Sequence, residues 1–400
     1  MVLAVVGDSN VGCVREDVEI VLFAVTRAAR DTHPMVRSAA AVSVREAVNR
    51  FLLASFSSND EDVDVSGFLE PLHVLLGDVE PSVRADAAIS MREILLQDTR
   101  SYMPSFNALI GCIESTANVT VKKQCMITLS SFFEGKKKDA VGKFSMPELR
   151  ASDFYGRFMA ATRNVLGMRR NHAVKVAALV TATSLLRQMP DVVNDIAFVQ
   201  SAVLGLYEVH RHHDDLYAVS LAICFRNLIE AQKGDDVASD FMATTFQCIV
   251  SFLENGELRS PDATNTFALD VMGNVFRVCG VKAKAFAQPC LTLAMSAMAC
   301  PQALETIPLI LAAVAWDPET SRRVLSVLTD RMESETVVVC LIGQIKACAE
   351  IVTHTTTNFI HKPSLSHLCL ATHRLIKENK ARRISVQAEG YEGDESEEDL

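Results

Sequence analysis

The sequence predicts an all-α chain, an α-solenoid of stacked antiparallel helix pairs that is elongated and curved. Three observations carry that expectation. About half of the residues (49%) are apolar, with only 17 Gly and 12 Pro among 400, a bias that favours helices and supplies a continuous core. Apolar residues fall into amphipathic helical pairs from Glu16 onward, with no run of alternating strands and helices. One helix signature then returns at long intervals, which is the mark of a repeat array.

Residues 1–14 form an N-terminal segment. Within it, GDSNVGCV begins like a phosphate-cradling loop, with Gly7 and Gly12 at the proper spacing. A working loop needs Lys after the second Gly to reach the phosphates, then Ser or Thr to hold magnesium. Cys13 and Val14 stand there instead. The GDS triplet also lacks the α/β pattern that a hydrolase nucleophile turn requires. The segment reads as a turn leading into the first helix.

The helical body is expected over residues 15–380, as about eight pairs. Its organising signature is clearest in DTHPMVRSAAAVSVREAV, from Asp31, and DVEPSVRADAAISMREIL, from Asp78. Pro34, Val36, Arg37, Ala40, Ala41, Val42, Arg45, Glu46 and Val48 correspond to Pro81, Val83, Arg84, Ala87, Ala88, Ile89, Arg92, Glu93 and Leu95, 47 residues on. Fainter copies follow with Val121, Lys122, Cys125, Ile127 and Phe133, and with Val174, Lys175, Ala178, Val180 and Leu186. Each residue type has a mechanical role. Pro opens the second helix of the pair, where its missing N–H costs nothing. Val, the small residue four positions later and the apolar residues beyond it line one broad stripe. Asp precedes Arg by six positions in both strong copies, so Asp31, Arg37, Asp78 and Arg84 can form a ladder between neighbouring pairs. An exposed Asp–Arg pair contributes only about 0–1 kcal/mol, against about 2–5 kcal/mol for truncating a core Leu. The ladder would therefore set register more than it would hold the stack together.

The pattern D-x-x-P-x-V-R-x-x-A resembles the HEAT-repeat family of armadillo-like helical solenoids. Residues 31–95 match closely, and 118–186 match in the Val, basic, small and apolar positions, with Thr116 and Arg169 where the Asp would stand. Further pairs are predicted at 191–208 with 214–231, 236–254 with 262–279, 283–299 with 302–315, and 319–332 with 335–353, and a last helix at 363–380. A single pair cannot bury its stripe alone, so stacking is obligatory. The signature Val residues are spaced unevenly, by 47, 38 and 53 positions, unlike a uniform array. The longest insertion, 134–152, reads as a charged interhelical loop.

Function classes narrow from there. The 11 cysteines include no C-x-x-C, lie mostly inside apolar helical patterns, and read as small buried hydrophobes in a reducing compartment. The longest uncharged apolar run, Ile307–Trp316, is too short to span a bilayer, and the first residues lack a basic leader. The formal charge is −10, and seven of the acids crowd the last twelve positions. Neither that tail nor the near-neutral body attracts phosphate backbones, so nucleic acid is not an expected partner.

His210, His212, His213, Asp214 and Asp215 could hold a metal, although such residues also suit a solvated turn between helices. A metal-dependent enzyme using that cluster is the catalytic alternative. No His is followed by Glu, as a di-iron hydroxylase of this repeat class would need, and no cofactor is implied. Paired carboxylates such as Asp235–Asp236 suit helix starts. Residues 381–400 form an acidic, apolar-poor tail expected to be disordered. It follows Arg382–Arg383 and carries two candidate phosphorylation positions, Ser385 and Ser396.

The resemblance implies a non-catalytic protein-binding scaffold. Within HEAT proteins the irregular repeats, the acidic chain, the buried cysteines and the late basic-to-acidic segment resemble the importin-β superfamily of nuclear transport receptors. That implies a cytoplasmic protein shuttling to the nucleus, with protein partners, basic cargo among them. A structural subunit of a chromosome-organising, vesicle-coat or phosphatase complex is the alternative.

Overall fold

The structure, a computed structural model, describes residues 14–58, 65–97, 102–134, 152–189, 192–210, 217–232, 239–255, 263–332 and 337–355, with isolated positions at 149, 237, 335 and within 366–377. The described residues are helical, with no strand among them. None of the helices is long and apolar enough to cross a membrane. The chain divides into two compact units, Met1–Val209 and His210–Leu400.

The first unit runs through α1 (Val14–Ala28), α2 (Pro34–Ser58), α3 (Leu69–Leu76), α4 (Pro81–Gln97), α5 (Tyr102–Ser115), α6 (Val119–Glu134), α7 (Phe154–Leu166), α8 (His172–Leu186) and α9 (Val193–His210). Pro34 and Pro81 open the second helices of adjacent hairpins, where their fixed φ suits a helix start. The second helices stack in sequence, α2 on α4, α4 on α6 and α6 on α8. A parallel layer is formed by α3, α5 and α7, each also packing on its own partner. In α1 the stripe Val18, Val21 and Val25, continued by Ala29 just past its end, is buried at helical spacing. By contrast α8 buries residues all round, from Val174 and Val176 to Leu185 and Leu186, because helices cover more than one of its faces.

Two devices hold this stack in register. One is an aromatic knot, in which Phe106 of α5 lies 4.8 Å edge-on from Phe132, 5.5 Å from Phe133 and 5.2 Å from Phe154. The other is a run of buried threonines bonding backward between second helices. The Thr128 hydroxyl donates to the Ala88 carbonyl at 2.7 Å, and Thr181 donates to Met126 at 2.9 Å.

The second unit contains α10 (Ala218–Ala231), α11 (Ser239–Asn255), α12 (Ala263–Cys279), α13 (Ala287–Ser296), α14 (Pro301–Ala313), α15 (Pro318–Met332) and α16 (Val338–His354). Its second helices also stack in order, α10 on α12, α12 on α14 and α14 on α16. Thr306 of α14 repeats the backward bond, donating to Leu269 of α12 at 3.1 Å. Glycine permits the closest approaches. A Cβ on Gly273 would lie 2.9 Å from Thr306 Oγ1, and one on Gly343 would lie 2.9 Å from Leu304 Cδ1. The expected helix over 283–299 is instead a 3-10 stretch, Gly280–Phe286, followed by α13. Its Phe286 side chain stacks 4.5 Å from Phe246, so tertiary packing overrides the local helical pattern. Between α14 and α15, Ala315 and Trp316 both take positive φ, at 53° and 55°, and Trp316 stacks on His354 at 4.7 Å. Such a backbone costs about 1–3 kcal/mol per residue.

Candidate interaction surface

The turns joining each pair bring the ladder residues to one edge of the first unit. Asp31 and Asp78 each fold the turn locally, accepting the backbone N–H two residues on, at 2.8 Å from His33 and 2.9 Å from Glu80. Arg37, on the first turn of α2, then reaches the neighbouring pair. Its Nε donates to Asp78 Oδ2 at 2.5 Å and its Nη2 to Asp78 Oδ1 at 2.9 Å, a bidentate fork. Its Nη1 also donates to the carbonyls of Asp31 and Thr32, at 2.9 Å and 3.0 Å. The two paired side chains are only 13% and 7% exposed. The hydrogen bond from Arg37 holds the Asp78 carboxyl below the usual carboxylate range.

The ladder changes at the next junction. Thr116 keeps the turn, accepting the Asn118 N–H at 3.1 Å, but offers Arg84 no carboxylate. The Arg84 Nε is buried without a hydrogen-bond partner among the described residues. Lys122, in the basic slot of that pair, donates to the Ile113 carbonyl at 2.8 Å and so satisfies the end of α5. At the fourth copy Arg169 is exposed, and Asn171 takes a left-handed φ of 76° to start α8.

The second-helix layer of the first unit presents a mixed surface. Glu46 and Arg50 of α2 are exposed, while Arg92 and Glu93 of α4, with Lys123, Gln124 and Ile127 of α6, are partly exposed. Arg92 and Glu93 pair with each other at 2.8 Å, and Ser38 donates to Asp86 across α2 and α4. Both signs of charge with intervening apolar positions suit a protein partner better than a polyanion. The Ser38–Asp86 link and the threonine bonds carry no sequence signature, because each depends on where a neighbouring helix lies.

Other candidate residues fall elsewhere. His210 closes α9, whereas His212, His213, Asp214 and Asp215 lie outside the described residues, as do Asp235, Asp236, most of 134–152 and the Gly7–Gly12 segment. The tail 381–400, with Ser385 and Ser396, lies outside them too. No group of three or more His, Cys, Asp or Glu able to hold a metal occurs among the described residues. Nine described cysteines are buried, and Cys369 is exposed.

Neither a protein-family model nor a curated protein sequence matches the chain. Solved structures do. The crystal structure of the karyopherin Kap121p matches with a TM-score of 0.53 at 13% identity, covering 90% of this chain and 42% of that one. A multiply substituted variant of Kap121p matches with a TM-score of 0.59 at 13% identity, covering 92% of this chain and 43% of that one. The chain thus spans less than half the length of the structures it resembles. At such identity the likeness establishes the fold, a HEAT-type α-solenoid of the importin-β kind.

Proposed function

We propose that the chain is a non-catalytic binding scaffold of the nuclear transport receptor type, holding protein cargo on its second-helix layer. The observation that carries this reading is the match of about nine-tenths of the chain to Kap121p. The mixed-charge layer around Glu46, Arg92, Glu93 and Lys123 supplies a surface suited to a folded or extended polypeptide. Basic cargo would be met by Glu46 and the partly exposed Glu93.

The test is affinity purification of the full chain with mass spectrometry, with and without a GTP-locked transport GTPase. Release of bound proteins on adding the GTPase is the expected outcome. A stable assembly indifferent to nucleotide would favour a structural subunit instead. A triple variant, Glu46→Lys, Glu93→Lys and Lys123→Glu, should lose its partners while keeping its helical circular dichroism. Full retention of partners would move the binding surface off this layer.

A further inference from the structure

Two contacts in the first unit show which positions of a helix pair receive the pair before it. A Cβ on Gly67, in the 3-10 turn Ser66–Phe68 before α3, would lie 2.9 Å from Leu22 Cδ2 of α1. Asp86 of α4 accepts the Ser38 hydroxyl of α2. The repeat offset of 47 carries these two receiving positions back to Ile20 and Ala39 of the first pair. Helix geometry gives the same answer independently. Leu22 points at the second pair, and residues two positions from it lie about 200° round the helix, so Ile20 and Ala24 point away. The outward side of α1 and α2 is therefore built as a receiving face.

That face is apolar. Ile20 and Phe23 of α1 are 61% and 72% exposed, and Met35 and Val36 of α2 are 74% and 38% exposed. Their counterparts in the second pair behave differently. Val36 corresponds to Val83, which is fully buried. Phe23 and Met35 correspond to Glu70 and Ser82, which are exposed and polar. A terminal repeat that faces water needs a polar outer side, and clustered exposed apolar side chains mark an interaction site. The first pair reverses the expected chemistry, with large apolar groups where the second pair has a carboxylate and a hydroxyl.

We propose that Ile20, Phe23, Ala24, Met35, Val36 and Ala39 form a self-association face, on which a second copy of the chain stacks its own α1 and α2 as a symmetric dimer. The face needs another apolar helix pair, as each pair within the stack does, and the second copy presents one. Identical faces meeting about a two-fold axis close at two subunits. Charge complementarity favours this occupant. Glu19 and Arg27 are both exposed and stand four residues to either side of Phe23, on the same side of α1. When two copies of α1 cross antiparallel at Phe23, Glu19 of each copy faces Arg27 of the other.

The experiment follows the mass of the full chain by light scattering and sedimentation velocity through a dilution series. A dimer that dissociates on dilution is expected. Phe23→Glu, which copies the second pair, should raise the dissociation constant on the order of thirtyfold or more. Because Phe23 is exposed, its helical circular dichroism and melting curve should not change. Val193→Ser removes a similarly exposed apolar group, 68% exposed on α9, and should leave the dimer intact. Glu19→Arg and Arg27→Glu should each weaken association, and the two together should restore it. A photo-cross-linker at position 20 should capture α1 or α2 of a second, mass-labelled copy. The proposal is overturned if the chain is monomeric at every concentration, if Phe23→Glu dimerises as well as the unaltered chain, or if the cross-linker captures only residues of its own chain.

Discussion

A single carboxylate decides how one junction of the first unit responds to acid. Asp78 receives the fork from Arg37, and that hydrogen bond lowers its pKa in the folded state. A depressed carboxyl stabilises the fold above its unfolded value, about 3.9, and that stabilisation is lost as pH falls through the lower folded value. Asp78→Asn should therefore melt earlier than the unaltered chain at neutral pH. The difference should shrink below about pH 4, the unfolded carboxyl range, and thermal melts at stepped pH would check it. The buried threonines act at the same scale. Thr181→Val keeps the shape but removes the bonds to Met126 and Ala177, and should cost about 1 kcal/mol, read from the urea midpoint. The D-x-x-P-x-V-R spacing makes a ladder between pairs legible in the sequence. The Arg84 Nε, buried without a hydrogen-bond partner among the described residues, is less so, since Thr116 in the aspartate slot looks like a harmless replacement in the sequence.

At the level of the helix, packing rather than propensity separates otherwise similar positions. Gly343 of α16 faces Leu304 of α14, whose Cδ1 and Cβ would lie 2.9 Å and 3.2 Å from an added Cβ. Among the described residues, nothing lies within 4 Å of a Cβ added at Gly205 of α9. Gly343→Ala should destabilise by about 1–3 kcal/mol through overpacking. Gly205→Ala should stabilise by about 0.5–1 kcal/mol, the helix preference of Ala over Gly. Paired melting curves would check both, and a stabilised Gly343→Ala chain would show that α14 and α16 can part without cost. Helix existence was readable from apolar spacing, and the starts of α2 and α4 from Pro34 and Pro81. The 3-10 stretch Gly280–Phe286 was not, because its winding accompanies packing on α12 and α14, with Phe286 stacked on Phe246, and neither contact shows in the local pattern.

For the molecule as a whole, the solenoid class was legible because each pair leaves an apolar stripe that only a neighbour can cover. The two compact units were not, since the later pairs lack the repeat signature and the amphipathic pattern continues past Val209 without a break. The turn joining α14 to α15 now acquires an experimental use. The chain has 1 Trp, and it sits in the second unit, fixed by its left-handed backbone against His354. Indole emission therefore watches that unit alone, whereas far-ultraviolet ellipticity sums the helices of both. During urea titration the two signals should report different midpoints, and coincident curves would show that the units melt as one. An optical label for half the protein is thus already installed, with no dye to attach.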